Sequence, residues 1–328
     1  MSMTLIVDGN NIAYRSFHTP QGELTTKAGE PTGVMLGVIN SLRTYLEKFP
    51  EATRMVIVFD GGKAQWRKDI YPEYKANRSY GDDPEEKAKF DGLFKQIDLL
   101  HENLPLLGVH SIKVKGWEAD DIISMLSESI TKNGGGENYA MVVTTDKDML
   151  QLINKSVSVY RPGKDVIVSP LNFYEQTGVT QEAYIGYRAL VGDTSDNIFG
   201  VQGIGEKTAK NLMDQYGNID NVLGAKGDDK AKLLKSKRTA RIFEPEGLNR
   251  LGINNKIMNF KYVPYDQEVE DLVHKALGIY MGPEEEAPLD PAFDTKAFRA
   301  FCMRWQFLSI LTNYMPFVTP FFGLGDEE

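Results

Sequence analysis

Short, continuous runs of β-prone apolar residues alternate along the chain with longer stretches whose apolar positions return every three or four residues. Leu5-Ile6-Val7, Met55-Val56-Ile57-Val58-Phe59 and Met141-Val142-Val143 lack the polar alternation of strands with one wet face and predict buried parallel strands. With a further run they place strands near 4–8, 54–59, 110–114 and 139–143, separated by helical patterns near 33–48, 88–107 and 118–132. This order predicts βαβ units and an α/β fold with a mostly parallel sheet. Phe90, Leu93, Phe94, Ile97, Leu100, Leu104 and Leu107 mark one side of an amphipathic helix, whose simplest role is core packing. A later block, Phe298, Phe301, Trp305, Phe307, Leu308, Ile310 and Leu311, follows an acidic linker at 282–286 and predicts a helix docked on the core.

The predicted strands deliver acids at or just past their C-terminal ends: Asp8, Asp60 and the pair Asp146/Asp148. Two more blocks, Glu118/Asp120/Asp121 and Asp193/Asp196, bring the set to nine. In an open α/β sheet that edge is where ligands bind. Acids crowded there repel one another and resist desolvation, so a hard divalent cation is the simplest means of holding them ionised and close. Glu118 and Asp121 lie three residues apart and share a helix face. Asp120 is one position off, but at a helix start its carboxylate can still turn toward the sheet edge.

Composition bounds this picture. The 328 residues, 41% of them hydrophobic, suffice for a substantial core and two domains. No run of eighteen apolar residues exists and the start enters a strand directly, which predicts a soluble chain with no membrane partner. A single cysteine, Cys302, excludes an intramolecular disulfide framework and a cysteine-based metal site and suits a reducing cytoplasm. His18, His101, His110 and His274 show no metal-ligand spacing and are expected on the surface or in packing. The net charge of −9 argues at first against a polyanionic partner. Nine acids in one cluster match that whole excess, which leaves basic residues free to form local patches.

Two such patches stand out. Trp66-Arg67-Lys68 and Tyr71 to Arg78 interleave cations with rings, ahead of a turn-rich stretch from Ser79 to Pro84. Cations that neutralise phosphates beside rings that stack on bases suit single-stranded or frayed nucleic acid; a solvated loop with ring packing is the plainer alternative. Lys226 to Arg241 carries seven basic residues and reads as a duplex-binding face or a solvated helix surface. Between them, Gly203-Ile204-Gly205 precedes a helical pattern with Ala209, Leu212 and Met213. Two glycines around one apolar residue permit a tight turn whose backbone N–H groups reach a phosphate at a helix N-terminus, with Lys207 and Lys210 nearby. An ordinary interhelical turn has the same look, but this one follows the Asp193/Asp196 block directly.

The ordered motifs LIVDGNN, VFDGG, YPEYKANR, GWEADDII, TTDKDMLQL, LVGDTSDN and GIGEKTAKNL resemble those of the 5′ nucleases over roughly residues 3–220. That family comprises flap endonucleases, 5′-exonuclease domains of bacterial DNA polymerases and phage 5′-exonuclease/RNase H proteins. The resemblance implies a PIN-like, mostly parallel central sheet flanked by helices over residues 1–178, with a helical arch near 72–92. A mainly helical helix-hairpin-helix (H2TH) duplex-binding domain over 179–265 and a helical C-terminal extension over 266–328 would follow. It implies a structure-specific 5′ nuclease that cleaves 5′ ends, flaps and RNA primers in replication and repair with two Mg²⁺ ions, Mn²⁺ substituting, and K⁺ at the 203–205 hairpin. Asp8, Asp60, Glu118, Asp120, Asp121, Asp146, Asp148, Asp193 and Asp196 match the family's metal positions, with Asp146 and Asp148 also taken as catalytic. Lys75 and Arg78 match the basic pair at the scissile phosphate; Tyr74 is expected to stack on the terminal base and Arg15 to contact a phosphate. Gly203, Gly205, Lys207, Thr208 and Lys210 are the expected hairpin contacts to DNA. The implied partners are branched or nicked duplex DNA, 5′ flaps and RNA–DNA hybrids, acted on by a monomer in a bacterial or phage-infected cytoplasm.

Departures from the family carry their own expectations. Phe199 and Gln202 stand where many relatives have prolines, which predicts a more flexible approach to the hairpin. The arch segment after Arg78 is short and polar and is expected to be disordered without DNA. No polymerase domain follows, so a free-standing nuclease is expected. The apolar, then acidic, tail from Pro316 to Glu328 reads as a docking motif for a sliding clamp or single-strand-binding protein, or else as a strap packed on its own domain. A PIN-like RNase would share the acidic strand edge without needing Asp193/Asp196 or the hairpin. A non-catalytic junction binder would keep the hairpin and lose the acids.

Overall fold

Leu5, Ile6 and Val7 are fully buried in the central region of a six-stranded sheet in the computed structural model, which describes residues 2–78, 83–133, 138–276, 291 and 293–324. The first half runs β1 (Ser2–Asp8), α1 (Gly9–Phe17), α2 (Gly33–Lys48), β2 (Ala52–Phe59), α3 (Gln65–Ile70), α4 (Pro84–Asn103), β3 (His110–Lys113), α5 (Ala119–Asn133), β4 (Asn138–Val143), β5 (Val157–Arg161) and β6 (Val166–Val168). The strand order is β3-β2-β1-β4-β5-β6, parallel except for β6. β1 is flanked by β2, with Leu5 opposite Met55, and by β4, with Leu5 opposite Met141. The chain therefore builds outward from β1 on one side and resumes with β4 on the other. The crevice between β1 and β4 is the switch point where such sheets bind ligands, and Asp8 and Asp146 lie at its mouth.

Alternate strand residues feed opposite cores, as the two-residue period of a strand requires. Leu5, Val7, Met55, Ile57 and Phe59 pack with α1, α2 and α4, whose Leu93, Ile97 and Leu100 are buried as the helical period predicts. Ile6, Val56, Val58 and Val142 pack with α5 and with the helices that follow. Those are α6 (Phe173–Thr177), α7 (Gln181–Val191), a hairpin of β7 (Gly192–Asp193) with β8 (Ile198–Phe199), then α8 (Glu206–Tyr216), α9 (Ile219–Leu223), α10 (Gly227–Lys235), α11 (Lys237–Ala240), α12 (Pro245–Met258) and α13 (Gln267–Ala276). The approach to the 203–205 turn, where Phe199 and Gln202 stand, is bonded to its surroundings. β7 pairs with β8, Val201 N donates to Leu190 O at 2.8 Å, and the fully buried Asn254 donates to both Ala189 O and Phe199 O at 2.8 Å.

The C-terminal segment forms α14 (Thr295–Arg304), α15 (Leu308–Thr312) and α16 (Tyr314–Val318), and it closes the core over α2 and α4. Phe298, Phe307, Phe317, Val318 and Phe321 are buried there, and Arg304 forms a two-pronged pair with Glu30 at 2.8 and 2.9 Å. The apolar tail packs as a strap on its own domain through Phe317, Val318 and Phe321, with Met315 and Phe322 partly exposed; its acidic end, 325–328, lies outside the described residues. The linker at 282–286 and the arch residues 79–82 also lie outside them. The described part of the arch segment is a series of turns over 72–77, followed by α4, which Asp83 caps by accepting from Glu85 N.

Candidate active site

The end of β1 turns straight into α1, so Asp8 is both the last strand residue and the helix N-cap. Its Oδ1 accepts from Asn11 N at 2.9 Å and its Oδ2 from the Thr144 hydroxyl, at the end of β4, at 2.8 Å. Asp60, just past β2, accepts from Asn10 Nδ2 and from Ala119 N, both at 2.8 Å. The bond to Ala119 N places Asp60 against the start of α5. The loop can close this tightly because Gly61 has no side chain: a Cβ there would lie 1.7 Å from Val114 O. Asp146, past β4, accepts from Asp148 N at 2.7 Å.

Asp8, Asp60, Asp120 and Asp146 thus converge on the sheet edge, and among the described residues none of them forms an ion pair with a lysine or arginine within 4.0 Å. Burial pushes the Asp8 carboxyl up to about 7, with Asp146 and Asp60 adding repulsion and the bonds from Asn11 and Thr144 opposing it. Asp60, Asp120 and Asp146 are raised as well, burial first in each case; Asp146 and Asp8 raise Asp120 further, and Asp196 raises Asp146. Clustered hard oxygen donors that resist ionisation without a cation suit a divalent ion chemically. Among the described residues no three acidic, histidine or cysteine side chains form a finished cage, so an ion would have to draw these four together.

The other five acids are held by cations. Buried Arg67 on α3 donates from Nη1 and Nη2 to the two oxygens of Asp121 at 2.9 and 2.7 Å, and from Nη1 to Glu118 at 3.1 Å. Asp121 is 0% exposed and spends both oxygens on Arg67, so it stands in an ion pair where a metal position was expected. Asp120, the residue one position off the face shared by Glu118 and Asp121, is the one that joins the inner group. Lys75 Nζ donates to Glu118 at 2.9 Å and lies 3.7 Å from Asp196, while Arg78 donates to Asp196 at 2.5 Å. Although burial works against ionisation of Glu118, Lys75 and Arg67 hold it below the usual range. Arg188 on α7 bridges Asp148 and Asp193 at 2.6 and 2.7 Å. Neither Arg67 nor Arg188 was singled out for these roles by sequence, because each is an ordinary helix residue until the fold brings the acids to it.

Lys75 has a left-handed backbone, φ 53°, in which a lysine is strained. Its N–H donates to Asp196 O at 2.9 Å, and Asn197, also left-handed at φ 59°, donates from Nδ2 to Glu73 O at 2.7 Å. The two turns lock each other. Tyr74, 4% exposed, donates its hydroxyl to Glu118 at 2.8 Å and lies on the wall of the cavity in front of Asp60 and Glu118. That cavity, of about 400 Å³, is also lined by Lys75, Arg78, Lys63, Lys68, Tyr14 and Phe94. Phe94, expected only in core packing, faces this cavity. Arg15 lies at the far end of α1, where its charge bears on the Tyr45 and Tyr160 hydroxyls, and does not join the site.

The hairpin stands apart from the acids. Gly203 is left-handed at φ 81°, and Gly205 is the N-cap of α8 with no side-chain cap bond, leaving the first N–H groups of that helix toward its open end. Gly203, Gly205 and Lys207 are exposed; Thr208 and Lys210 are half-buried, with the Lys210 ammonium over the Tyr187 ring at 5.8 Å.

An acid-edged parallel sheet joined to a hairpin between two helices defines a class of nucleic-acid enzyme, and the comparisons fix the family. Residues 3–183 match the 5′-3′ exonuclease N-terminal resolvase-like domain, and residues 179–266 match the 5′-3′ exonuclease C-terminal SAM fold. The chain belongs to the 5′-3′ exonuclease family. It is 36% identical over 218 residues to the thermostable DNA polymerase I of Thermus thermophilus, which covers 66% of this chain and 24% of the polymerase. The chain thus spans about a quarter of that relative's length. It is 35% identical over 218 residues to the 5′-3′ exonuclease of Buchnera aphidicola, covering 66% of this chain and 72% of that one. A solved structure of the T5 5′-exonuclease with divalent zinc ions superposes with a TM-score of 0.69 at 26% identity, covering 84% of this chain and 99% of that chain.

Proposed function

We propose that this protein is a metal-dependent 5′ nuclease that hydrolyses phosphodiester bonds at 5′ ends, flaps and RNA primers. The observation that carries the reading is the group Asp8, Asp60, Asp120 and Asp146 at the switch point, Asp8 buried and the others half-buried, with no lysine or arginine ion pair among the described residues; Asp60 lines the cavity that Lys75 and Arg78 also line. Metal ions bound in the T5 relative support a divalent requirement here, and oxygen-only donors favour Mg²⁺, with Mn²⁺ as substitute. Held by these acids, a pair of such ions supplies an activated water and stabilisation of the departing 3′ oxygen.

The chain's own residues do the rest. Burial lowers the proton affinity of Lys75, but Tyr74, Glu118 and Asp196 outweigh it and hold the ammonium charged well above its usual range. Lys75 therefore acts on the phosphoryl oxygens as a fixed positive charge and not as a base. Arg78, half-exposed at the cavity, exchanges Asp196 for the phosphate. The hairpin at 203–205, with Lys207, Thr208 and Lys210, holds a phosphate of the duplex, with K⁺ as its counter-ion. Residues 1–178 carry the chemistry, 179–265 grip duplex DNA and 266–328 brace the first part, in a cytoplasmic monomer acting on branched, nicked or RNA–DNA hybrid substrates.

The test is cleavage of 5′-labelled flap, nicked-duplex and RNA–DNA substrates with Mg²⁺ or EDTA, by wild type and Asp146→Asn. Mg²⁺-dependent products near the junction, lost in the variant, are expected. Junction binding with no cleavage under any metal would sink the proposal.

A further inference from the structure

Two acids that match metal positions, Asp148 and Asp193, are joined by an arginine that no motif includes. Arg188 projects from the last turn of α7 and is only 7% exposed. Its Nη2 lies 2.6 Å from Asp148 Oδ1 and 2.7 Å from Asp193 Oδ2, and its Nε donates to the same Asp148 oxygen at 3.0 Å. Asp193 spends its other oxygen on Ser195, accepting from the backbone N–H at 2.8 Å and from the hydroxyl at 2.6 Å. The inner acids differ: Asp8 and Asp60 accept only from neutral donors, and Asp146 from a backbone N–H.

We propose that Arg188 is a built-in counter-cation for the Asp148/Asp193 half of the acid cluster, so that divalent ions bind in two unequal steps, tightly at the inner acids and weakly at the outer pair. This rests on the metal-nuclease reading above. The charge count shows why. Two carboxylates offer a dication two negative charges, but with a guanidinium between them the net charge is one, and the oxygens that face each other already have a donor. Arg188 is fixed along α7 and gripped at two nitrogens by Asp148, so an ion at the outer pair must dislodge it or share oxygens with it. A buried charge beside a site shifts the affinity for a single proton by about one to three powers of ten, and a dication feels it doubly. In the free protein the outer pair stays closed by its own arginine and opens when a further anion, the substrate phosphate, gives that arginine or the incoming ion another partner.

The test is Mn²⁺ binding without DNA, followed by calorimetry and by the paramagnetic signal of free Mn²⁺, in wild type, Arg188→Gln and Arg188→Lys. Wild type is expected to show one tight and one weak ion. Arg188→Gln, which removes the charge and keeps a donor, is expected to tighten the weak step by at least about tenfold while leaving the tight step in place. Arg188→Lys keeps the charge and is expected to behave as wild type. A weak step unchanged or weakened in Arg188→Gln would show the arginine to be a strut for the two acids and overturn the proposal. If Arg188→Gln unfolds without metal, thermal melting in Mn²⁺ decides: a larger Mn²⁺-induced rise than in wild type supports the counter-cation, and failure to recover overturns it. Wild type that binds no Mn²⁺ would remove the metal-nuclease reading itself.

Discussion

Asp120 and Asp121 are neighbours with the same side chain and opposite environments. Asp121 is gripped on both oxygens by Arg67, while Asp120 faces Asp8, Asp60 and Asp146. The sequence shows that acids recur here but not which of them joins the inner group, since Asp121 is taken by Arg67, 54 positions away along the chain. The two variants should separate. Asp120→Asn is expected to weaken Mn²⁺ binding beyond the roughly 10–100-fold that loss of an outer partner costs, with stability little changed. Asp121→Asn is expected to keep the ion and lose stability by up to about 3–5 kcal/mol, because it breaks a buried pair. Calorimetry and urea unfolding of both proteins read the two effects apart. The raised Asp8 carboxyl makes a second prediction. Its folded value, about 7, lies above the ordinary 3.8, so the metal-free fold binds an extra proton between those limits. That contribution to stability is complete below about pH 4 and is lost as pH rises through 7. The melting temperature of the metal-free protein should therefore fall across that window, and the rise produced by added Mg²⁺ should grow with pH; a flat metal-free profile would contradict the burial of Asp8.

At the scale of elements, β1, β2 and β4 were legible because each carries an unbroken apolar run, whereas β5 interrupts its valines with Ser158 and ends in Arg161, and the apolar runs predict neither it nor the three-residue β6. β1, β2 and β4 extend the runs at Leu5, Met55 and Met141 by a few residues. α4 begins at Pro84, earlier than the apolar period suggests, because its first turn is built from polar residues and a cap. The tail was not legible. Pro316 to Phe322 has the composition of either a docking motif or a strap, and only the surface offered by α2 and the end of α4 lets it pack as a strap; the Arg43 guanidinium lies 5.3 Å over the Phe317 ring. The strap makes a clear prediction: Phe298→Ala, at a fully buried site on α14, should cost about 3–5 kcal/mol in urea unfolding. An effect below about 1 kcal/mol would mean that the strap is loosely docked. At the turn over 72–77 the interleaved cations and rings were legible but the geometry was not, since nothing in YPEYKANR announces a left-handed lysine. Lys75→Ala is expected to lower cleavage on the order of 10²–10³-fold with substrate binding largely kept, as single-turnover rates beside binding curves would show.

At the scale of the whole molecule, Arg67 links the acid edge of the sheet to the helical layer. Besides holding Glu118 and Asp121, it donates from Nε to Ile257 O at the end of α12, at 2.9 Å. Two further bonds cross nearby: Gln151 donates to Met258 O at 2.9 Å, and the Tyr265 hydroxyl donates to Asp121 O at 2.7 Å. The helical layer is thus tied to the side of α5 facing away from the inner acids. Arg67 is held cationic because Asp121, Tyr74 and Glu118 outweigh the cost of its burial. Removing it leaves two buried carboxylates short of a partner, so Arg67→Ala should cost about 3–5 kcal/mol. The loss should also be uneven. Trp66 stacks on the Arg67 guanidinium at 4.3 Å and Trp117 on the Tyr265 ring at 5.6 Å, so both report on this junction. In a Trp305→Phe background, which silences the strap's tryptophan, urea unfolding of the parent should give one midpoint by fluorescence and by far-ultraviolet circular dichroism. With Arg67→Ala added, the fluorescence midpoint should fall below the dichroism midpoint, as the junction parts before the sheet and helices melt. Two midpoints that move down together would make Arg67 a local core ion pair and place the coupling in the apolar packing between α5 and the helices beyond it.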